Sequence, residues 1–417
     1  MKKVYASIDI GSDTIKFVVG ELFNDEVNVL AAHSIKSKGI RKGLIIDPNL
    51  CINAIKDGMK EINNMLGITI KKVIVNVPDY NAKFMLVNGE CEIENSDSII
   101  TNEDINKVIK TSVYGKLPAN YELVTVLPIF FSTDEKENVL KPLGLKSKKI
   151  GVKGIMISVP KKNVYSVLGV MEGAGLEVID ITLNGLCNYY ESRNNDMLKK
   201  VGAVINIGHE TTNVSIFNKG ILMNTETIQI GGNNIDKDIE CIFGVNVFEA
   251  RNIKEKFASS HKRFCQLAEV YEIKNNYGEL IRLNQLEVTE VVMKRLIEIL
   301  EFSKKQIKLL TKSNINYIVI TGGLTEIKSF KNLVYEYLGK NTIIHVVDTI
   351  GVRDNKYSTA LGMIKYFIDK MEIRGKNYSM INTVDEETLI TPDSNSKKED
   401  TIINKLFSNF MGNKEEK

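Results

Sequence analysis

At 417 residues, with hydrophobic residues at 43% and charged residues at 26%, the chain is too long for one ordinary core and too apolar to be disordered, which suggests roughly two or three domains. Lys+Arg 55 against Asp+Glu 52 leaves a formal charge of +3, so nothing argues for general nucleic-acid binding. The five cysteines, at 51, 91, 187, 241 and 265, contain no C-x-x-C pair, which argues against a disulfide framework or a zinc site and for buried free thiols in a reducing compartment.

Met1-Lys2-Lys3 is followed by too short an apolar run before Asp9 to be the core of a signal peptide, and no stretch approaches the ~20 apolar residues of a spanning helix. The expectation is a cytoplasmic protein whose membrane contact, if it has one, is peripheral. Val4 to Ile10 is an apolar β-type run that ends at Gly11-Ser12-Asp13. A second run, Ile15 to Val19, a turn at Asn24-Asp25 and a third run, Val27 to Ala31, complete a three-strand meander. Pro48 to Leu66 has apolar residues near helical spacing, and Lys72 to Val77 is a buried-strand run. Thr101-Asn102-Glu103-Asp104 opens a capped helix, Glu122 to Phe131 and Gly151 to Val159 are strands, and a helix spans Asn163 to Ala174; within this stretch, residues 84–164 look like a small inserted α/β unit.

Far downstream the opening design recurs. Val201 to Ile207 leads into Gly208-His209-Glu210-Thr211, then Val214 to Phe217, a turn at Asn218-Lys219-Gly220 and a run from Ile221. Such duplication implies two related lobes with both glycine turns aimed at the cleft between them. Leu286 to Leu310 is a long amphipathic helix, with Val292, Leu296, Leu300, Ile307 and Leu310 facing inward. Tyr317 to Ile320 is a strand ending in Thr321-Gly322-Gly323, with a helix restarting near Thr325. From Met371 to Asp400 the composition turns polar, as in a flexible linker.

Turns of small residues suit phosphate, because backbone N–H groups approach an anion where no Cβ intervenes. In Asp9-Ile10-Gly11-Ser12-Asp13-Thr14-Ile15-Lys16, Asp9 can hold Mg²⁺ through its waters, Gly11 and Ser12 can face phosphate oxygens, and Lys16 can neutralise them. Asn206-Ile207-Gly208-His209-Glu210-Thr211 supplies a second such turn. Gly322-Gly323 offers backbone against which an adenine can lie. His209, in an exposed turn, and His33, His261 and His345 have no ligand spacing around them.

These three turns, in this order, resemble the actin and heat-shock-chaperone ATPase superfamily. Within it the chain resembles the FtsA family of bacterial cell-division proteins, through Arg41-Lys42-Gly43-Leu44-Ile45-Ile46-Asp47, the inserted segment and Tyr357-Ser358-Thr359-Ala360-Leu361-Gly362. The resemblance implies an α/β, two-lobed actin-like (ribonuclease H-like duplicated) fold. Residues 1–83 and 165–200 would form lobe I, 84–164 the inserted subdomain, 201–370 lobe II, 371–400 the linker and 401–417 a terminal helix. It further implies an ATP and Mg²⁺ site using Asp9, Gly11, Ser12 and Lys16 in the first loop, Asn206, Gly208 and Thr211 in the second, Gly322 and Gly323 at the adenosine, and Lys254 along the nucleoside. Asn206 stands where the family has aspartate and Arg251 where it has glutamate, so slow or negligible hydrolysis is expected. The implied partners are FtsZ and other division proteins, further copies of the chain in a filament, and the cytoplasmic face of the membrane at the division site.

Ile402, Ile403, Leu406, Phe407, Phe410 and Met411 recur at spacings that, at about 100° per residue, spread over roughly half of a helix. After the polar linker this stripe has no neighbouring core of its own, so it reads as an interfacial membrane helix, matching the C-terminal helix of the family. Docking of the stripe on the globular body or on a partner protein is the alternative. At the level of function, an FtsA-like pilus-assembly ATPase and an actin-fold small-molecule kinase remain open alternatives.

Overall fold

The computed structural model describes residues 3–376 and 378–381. The apolar stripe of the tail lies outside them. Strands β1 (Lys3–Ile10), β2 (Thr14–Phe23) and β3 (Glu26–Lys36) form the first antiparallel meander, turned at Asn24-Asp25, where both residues have positive φ. A short hairpin, β4 (Ile40–Arg41) and β5 (Leu44–Ile45), follows. Helix α1 (Pro48–Leu66) starts where the Asp47 side chain accepts from the Leu50 N–H, and it stops at Gly67, whose φ of 70° ends the helix in the left-handed region. Strand β6 (Lys72–Asn76) then joins β1 in parallel.

The inserted unit is a three-stranded antiparallel sheet in the order β7-β9-β8, made of β7 (Lys83–Glu92), β8 (Tyr121–Thr133) and β9 (Lys149–Pro160), with helix α2 (Asn102–Val113) on one face. The Thr101–Asp104 capping box opens α2 as its sequence suggests. Val87, Ile105, Val108, Phe131, Ile150 and Met156 give the unit a core of its own. Helix α3 (Lys161–Gly173), strand β10 (Glu177–Thr182) and helix α4 (Asn184–Ser192) return the chain to lobe I.

The second meander is β11 (Val201–Ile207), β12 (Thr212–Asn218) and β13 (Ile221–Ile228), followed by helices α5 (Gly232–Phe243) and α6 (Val247–Asn252) and the hairpin β14 (Val270–Lys274) and β15 (Leu280–Asn284). The long helix α7 (Gln285–Leu310) buries Val292, Leu296, Leu300 and Ile307, with Leu310 partly buried. Strand β16 (Tyr317–Thr321), helix α8 (Phe330–Leu338), strand β17 (Thr342–Ile344) and helix α9 (Ser358–Ile373) complete the described elements. Where a helix was expected to restart near Thr325, a single tight turn spans Gly323–Glu326, and the Thr325 hydroxyl donates to the Gly322 carbonyl at 2.8 Å. The α-helix resumes only at Phe330.

The two large sheets have the same order, β10-β6-β1-β2-β3 and β17-β16-β11-β12-β13, with matching parallel and antiparallel pairings. The duplication inferred from the meanders therefore extends to whole five-stranded sheets. Between them lies α4, whose Tyr189 stacks on Phe217 of β12 with ring centroids 4.1 Å apart.

Helix α9 was grouped with lobe II by sequence order, but it packs on α4 and β1 and contributes Ala360, Leu361, Ile364 and Phe367 to the lobe I core. The expected linker also begins later than Met371. Helix α9 runs to Ile373, the Met380 N–H donates to the Val4 carbonyl at 2.9 Å, and Met380 is buried. Two thiols, Cys51 and Cys187, are buried as expected, but Cys241 is exposed.

The Tyr357-to-Gly362 motif has a packing explanation. A Cβ on Gly362 would lie 1.9 Å from the Cys187 carbonyl oxygen, so glycine is what lets α9 approach the α4 backbone. Gly362→Ala is expected to lower stability by about 1–3 kcal/mol, the usual cost of forced overpacking, seen as a lower denaturation midpoint. An unchanged midpoint would mean that the two helices separate freely.

Candidate functional site

The ends of β1 and β11 deliver the two glycine turns to one cleft. A cavity of about 60 Å³ there is lined by Ile10, Asn76 and Asn184 from one lobe and by Asn206, Gly208 and Thr211 from the other. That is room for about two water molecules.

In the first turn the sheet register sets Asp9 opposite Lys16, and their side chains form an ion pair at 3.0 Å. The other Asp9 oxygen accepts from Asn76 Nδ2 at 2.9 Å, while Asn76 Oδ1 accepts from the Ile10 N–H at 2.8 Å. Gly11 has no room for a side chain, since a Cβ would meet the Thr14 carbonyl oxygen at 2.7 Å and Lys16 Nζ at 2.8 Å. Ser12 Oγ accepts from the Gly43 N–H at 2.7 Å, tying the β4–β5 hairpin to the turn.

Lobe II repeats this arrangement without charge. Asn206 faces Asn213 across β11 and β12, as Asp9 faces Lys16 in lobe I. The Gly208 N–H closes the turn on the Thr211 carbonyl at 2.9 Å, and the Gly208 carbonyl accepts from the Gly232 N–H at the start of α5 at 3.0 Å. Strand β16 brings Gly322 against β11, with φ 102° and ψ 166°. Gly323 next to it has open space around its Cα. Lys254 is buried in an ion pair with Asp236 at 2.7 Å and reaches the Gly232 carbonyl at 3.5 Å. Of the loop residues chosen from sequence, Asn206, Gly208 and Thr211 line the cavity, while Lys254 and Gly322 reach the second turn through Gly232 and Ile207.

Lys36 and Asp79 at the cleft carry no signal in the sequence, and Arg251 shows there only as a departure from the family pattern. Arg251, on α6, crosses from lobe II to the first turn and grips Asp13 with both terminal nitrogens, at 2.9 and 3.2 Å. Its Nε lies 3.7 Å from Asp236, and the His209 ring sits 3.2 Å from one of its nitrogens. Lys36 also pairs with Asp13. Burial by itself raises the Asp13 carboxyl, but the Lys36 hydrogen bond and the charges of His209, Arg251 and Lys36 bring it down to about 2. His209 is largely covered rather than exposed as expected, and burial pushes its imidazole below the usual value, which favours a neutral ring beside the guanidinium.

The hairpin at Lys42 also spans the cleft. The Lys42 N–H donates to Glu210 and its Nζ to Gln229 Oε1 at 2.7 Å. Deeper in, Asp79 follows β6 and accepts from Asn213, Thr225 and Thr227 of lobe II, with the Thr227 bond at 2.6 Å. Asp79 is fully buried, and desolvation raises its pKa even though these donors oppose the shift.

The donor set is a poor match for Mg²⁺, which takes oxygen ligands and keeps several waters. Three carboxylates at the cleft already have a cation: Asp9 has Lys16, Asp13 has Arg251 and Lys36, and Asp236 has Lys254.

Known proteins share this architecture. A family model for cell division protein FtsA matches residues 203–362, and one for the SHS2 domain inserted in FtsA matches residues 81–158. The chain is 26% identical over 376 residues to cell division protein FtsA of Bacillus subtilis, covering 90% of this chain and 86% of that one. It is 27% identical over 402 residues to FtsA of Staphylococcus epidermidis, covering 94% and 85%. Among solved structures, the PilM–PilN type IV pilus biogenesis complex matches with a TM-score of 0.59 at 13% identity, over 86% of this chain and 97% of that one. MreB5 of Spiroplasma citri bound to ADP matches with a TM-score of 0.54 at 13% identity, over 90% and 99%. At such identities the structural matches speak for the actin-like fold alone. With both family models and these relatives in agreement, the chain belongs to the FtsA family of cell-division proteins.

Proposed function

We propose that the chain is an ATP-binding, filament-forming adaptor that holds FtsZ and other division proteins at the cytoplasmic face of the membrane. The observation that carries this reading is the pair of duplicated glycine turns, brought together where Arg251 and His209 meet Asp13, with Lys16 and Lys254 beside them. Asp9, Gly11, Ser12 and Lys16 would take one side of the phosphates and Asn206, Gly208 and Thr211 the other. Lys254 would lie along the nucleoside, with adenosine over Gly322 and Gly323. The Mg²⁺ expected through Asp9 fits poorly, as the cation-paired carboxylates indicate. Turnover would be slow, because Asn206 carries no charge to order a metal or an attacking water.

The membrane role rests on Ile402, Ile403, Leu406, Phe407, Phe410 and Met411, which as a single short helix bind weakly and gain from polymer avidity. No helix among the described residues is long and apolar enough to cross a membrane. Deleting 401–417 is expected to reduce liposome co-sedimentation about tenfold or more, since burial of several large apolar side chains is lost. Electron microscopy on lipid monolayers, with and without ATP, tests the assembly. Undiminished lipid binding by the deletion variant would remove the anchor and leave docking of the stripe on the globular body or on a partner protein. The kinase alternative needs a free carboxylate base, whereas Asp9, Asp13, Asp79 and Asp236 are all held by partners.

A further inference from the structure

We propose that this cleft neutralises a nucleotide triphosphate with Arg251, Lys16 and Lys254 in place of a divalent cation, so that ATP binds without Mg²⁺; this rests on the ATP-binding reading above. The Arg251 guanidinium already lies across the cleft on the first phosphate turn, holding the two Asp13 oxygens at 2.9 and 3.2 Å. A planar fork that grips a carboxylate with two N–H groups suits phosphate oxygens equally well. When the guanidinium leaves Asp13 for a phosphate, Lys36 remains to neutralise that carboxylate.

The opposite wall completes the case. Lys254 is fixed by its buried pair with Asp236, and Arg251 Nε lies 3.7 Å from that same carboxylate, so two cations share one anion there. Lys16 lies across the register from Asp9, and the equivalent position in lobe II, Asn213, faces the uncharged Asn206. A divalent ion entering this setting would meet a cation already beside each of Asp9, Asp13 and Asp236. A polyanion meets complementary charge on both walls.

The test is a titration of the full chain with a fluorescent ATP analogue, in excess Mg²⁺ and in EDTA. The two dissociation constants are expected to agree within about threefold, because no bound metal contributes. Arg251→Glu is expected to weaken binding in EDTA by about 30-fold or more through loss of a desolvated charge contact, and to regain most of it in Mg²⁺. Arg251→Lys, which keeps the charge, should bind in EDTA within about tenfold of wild type. Binding that needs Mg²⁺ in the wild type, or Arg251→Glu binding as tightly as wild type in EDTA, would overturn metal independence while leaving the ATP reading intact. No binding in either buffer would overturn both.

Discussion

Gly322→Ala should cost about 3–5 kcal/mol and abolish nucleotide binding, whereas the same change at the adjacent Gly323 should cost less than about 1 kcal/mol. The contrast follows from backbone geometry. Gly322 has φ 102° and ψ 166°, a region open essentially to glycine alone, with a strain cost for any other residue of about 1–3 kcal/mol. A Cβ there would also lie 2.3 Å from the Ile207 carbonyl oxygen and 2.7 Å from Asn206 Oδ1, so β16 would be forced away from β11 at the second turn. Overpacking of this kind adds about 1–3 kcal/mol. At Gly323 a Cβ meets nothing within 4 Å and φ is not in the left-handed region, so its folding cost is small. If adenosine lies over this turn, Gly323→Ala should still weaken nucleotide binding, because the new methyl would occupy the open space. Urea denaturation and nucleotide titration of both variants separate the two effects. Equal loss of stability at the two positions would contradict the steric account.

The elements that carry their own periodicity were legible from the chain. Both meanders, α1, the capped α2 and the long α7 follow from alternation, spacing and caps that act within a few residues. The three glycine turns followed from their places at strand ends. What sequence order concealed are contacts made between distant parts of the chain. Helix α9 is the next long element after β17 in the chain, yet it packs in lobe I because Gly362 fits against Cys187, a pairing that no local pattern encodes. Arg251 was visible as a departure from the family pattern. Its reach to Asp13 depends on α6 lying over the first turn, which only the approach of the two lobes creates. His209 read as exposed because a turn usually is, and the same approach covers it. The sheet register offered one clue that could have been used: the position facing Asp9 is Lys16, while its counterpart Asn213 carries no charge and is therefore free to seek a partner across the cleft.

That partner is Asp79, and its removal should have a large effect. Asp79 is fully buried, with Asn213 Nδ2 and Thr225 Oγ1 donating to one oxygen and Thr227 Oγ1 to the other. Asp79→Ala would leave the Asn213 amide and the Thr227 hydroxyl without this acceptor at a buried interface between the lobes. At about 1–3 kcal/mol for each buried unsatisfied group, the expected loss is about 3–5 kcal/mol, read as a lower urea midpoint. The pH dependence has a definite sign. Desolvation raises the folded-state pKa of Asp79 above its unfolded value of about 3.9, so the folded protein binds that proton more tightly. The associated stability is fully present below about pH 4 and is lost as pH rises through the folded-state pKa, where an ionised carboxylate must be tolerated without a nearby cation. Asp79→Asn keeps a carbonyl acceptor for Asn213 and an amide toward Thr227 but cannot ionise. It should hold its urea midpoint over the range where the wild type declines, and be equal to or more stable than wild type at neutral pH. An Asp79→Asn profile that falls in parallel with the wild type would show that the declining stability comes from other carboxylates and that Asp79 is accommodated as an anion.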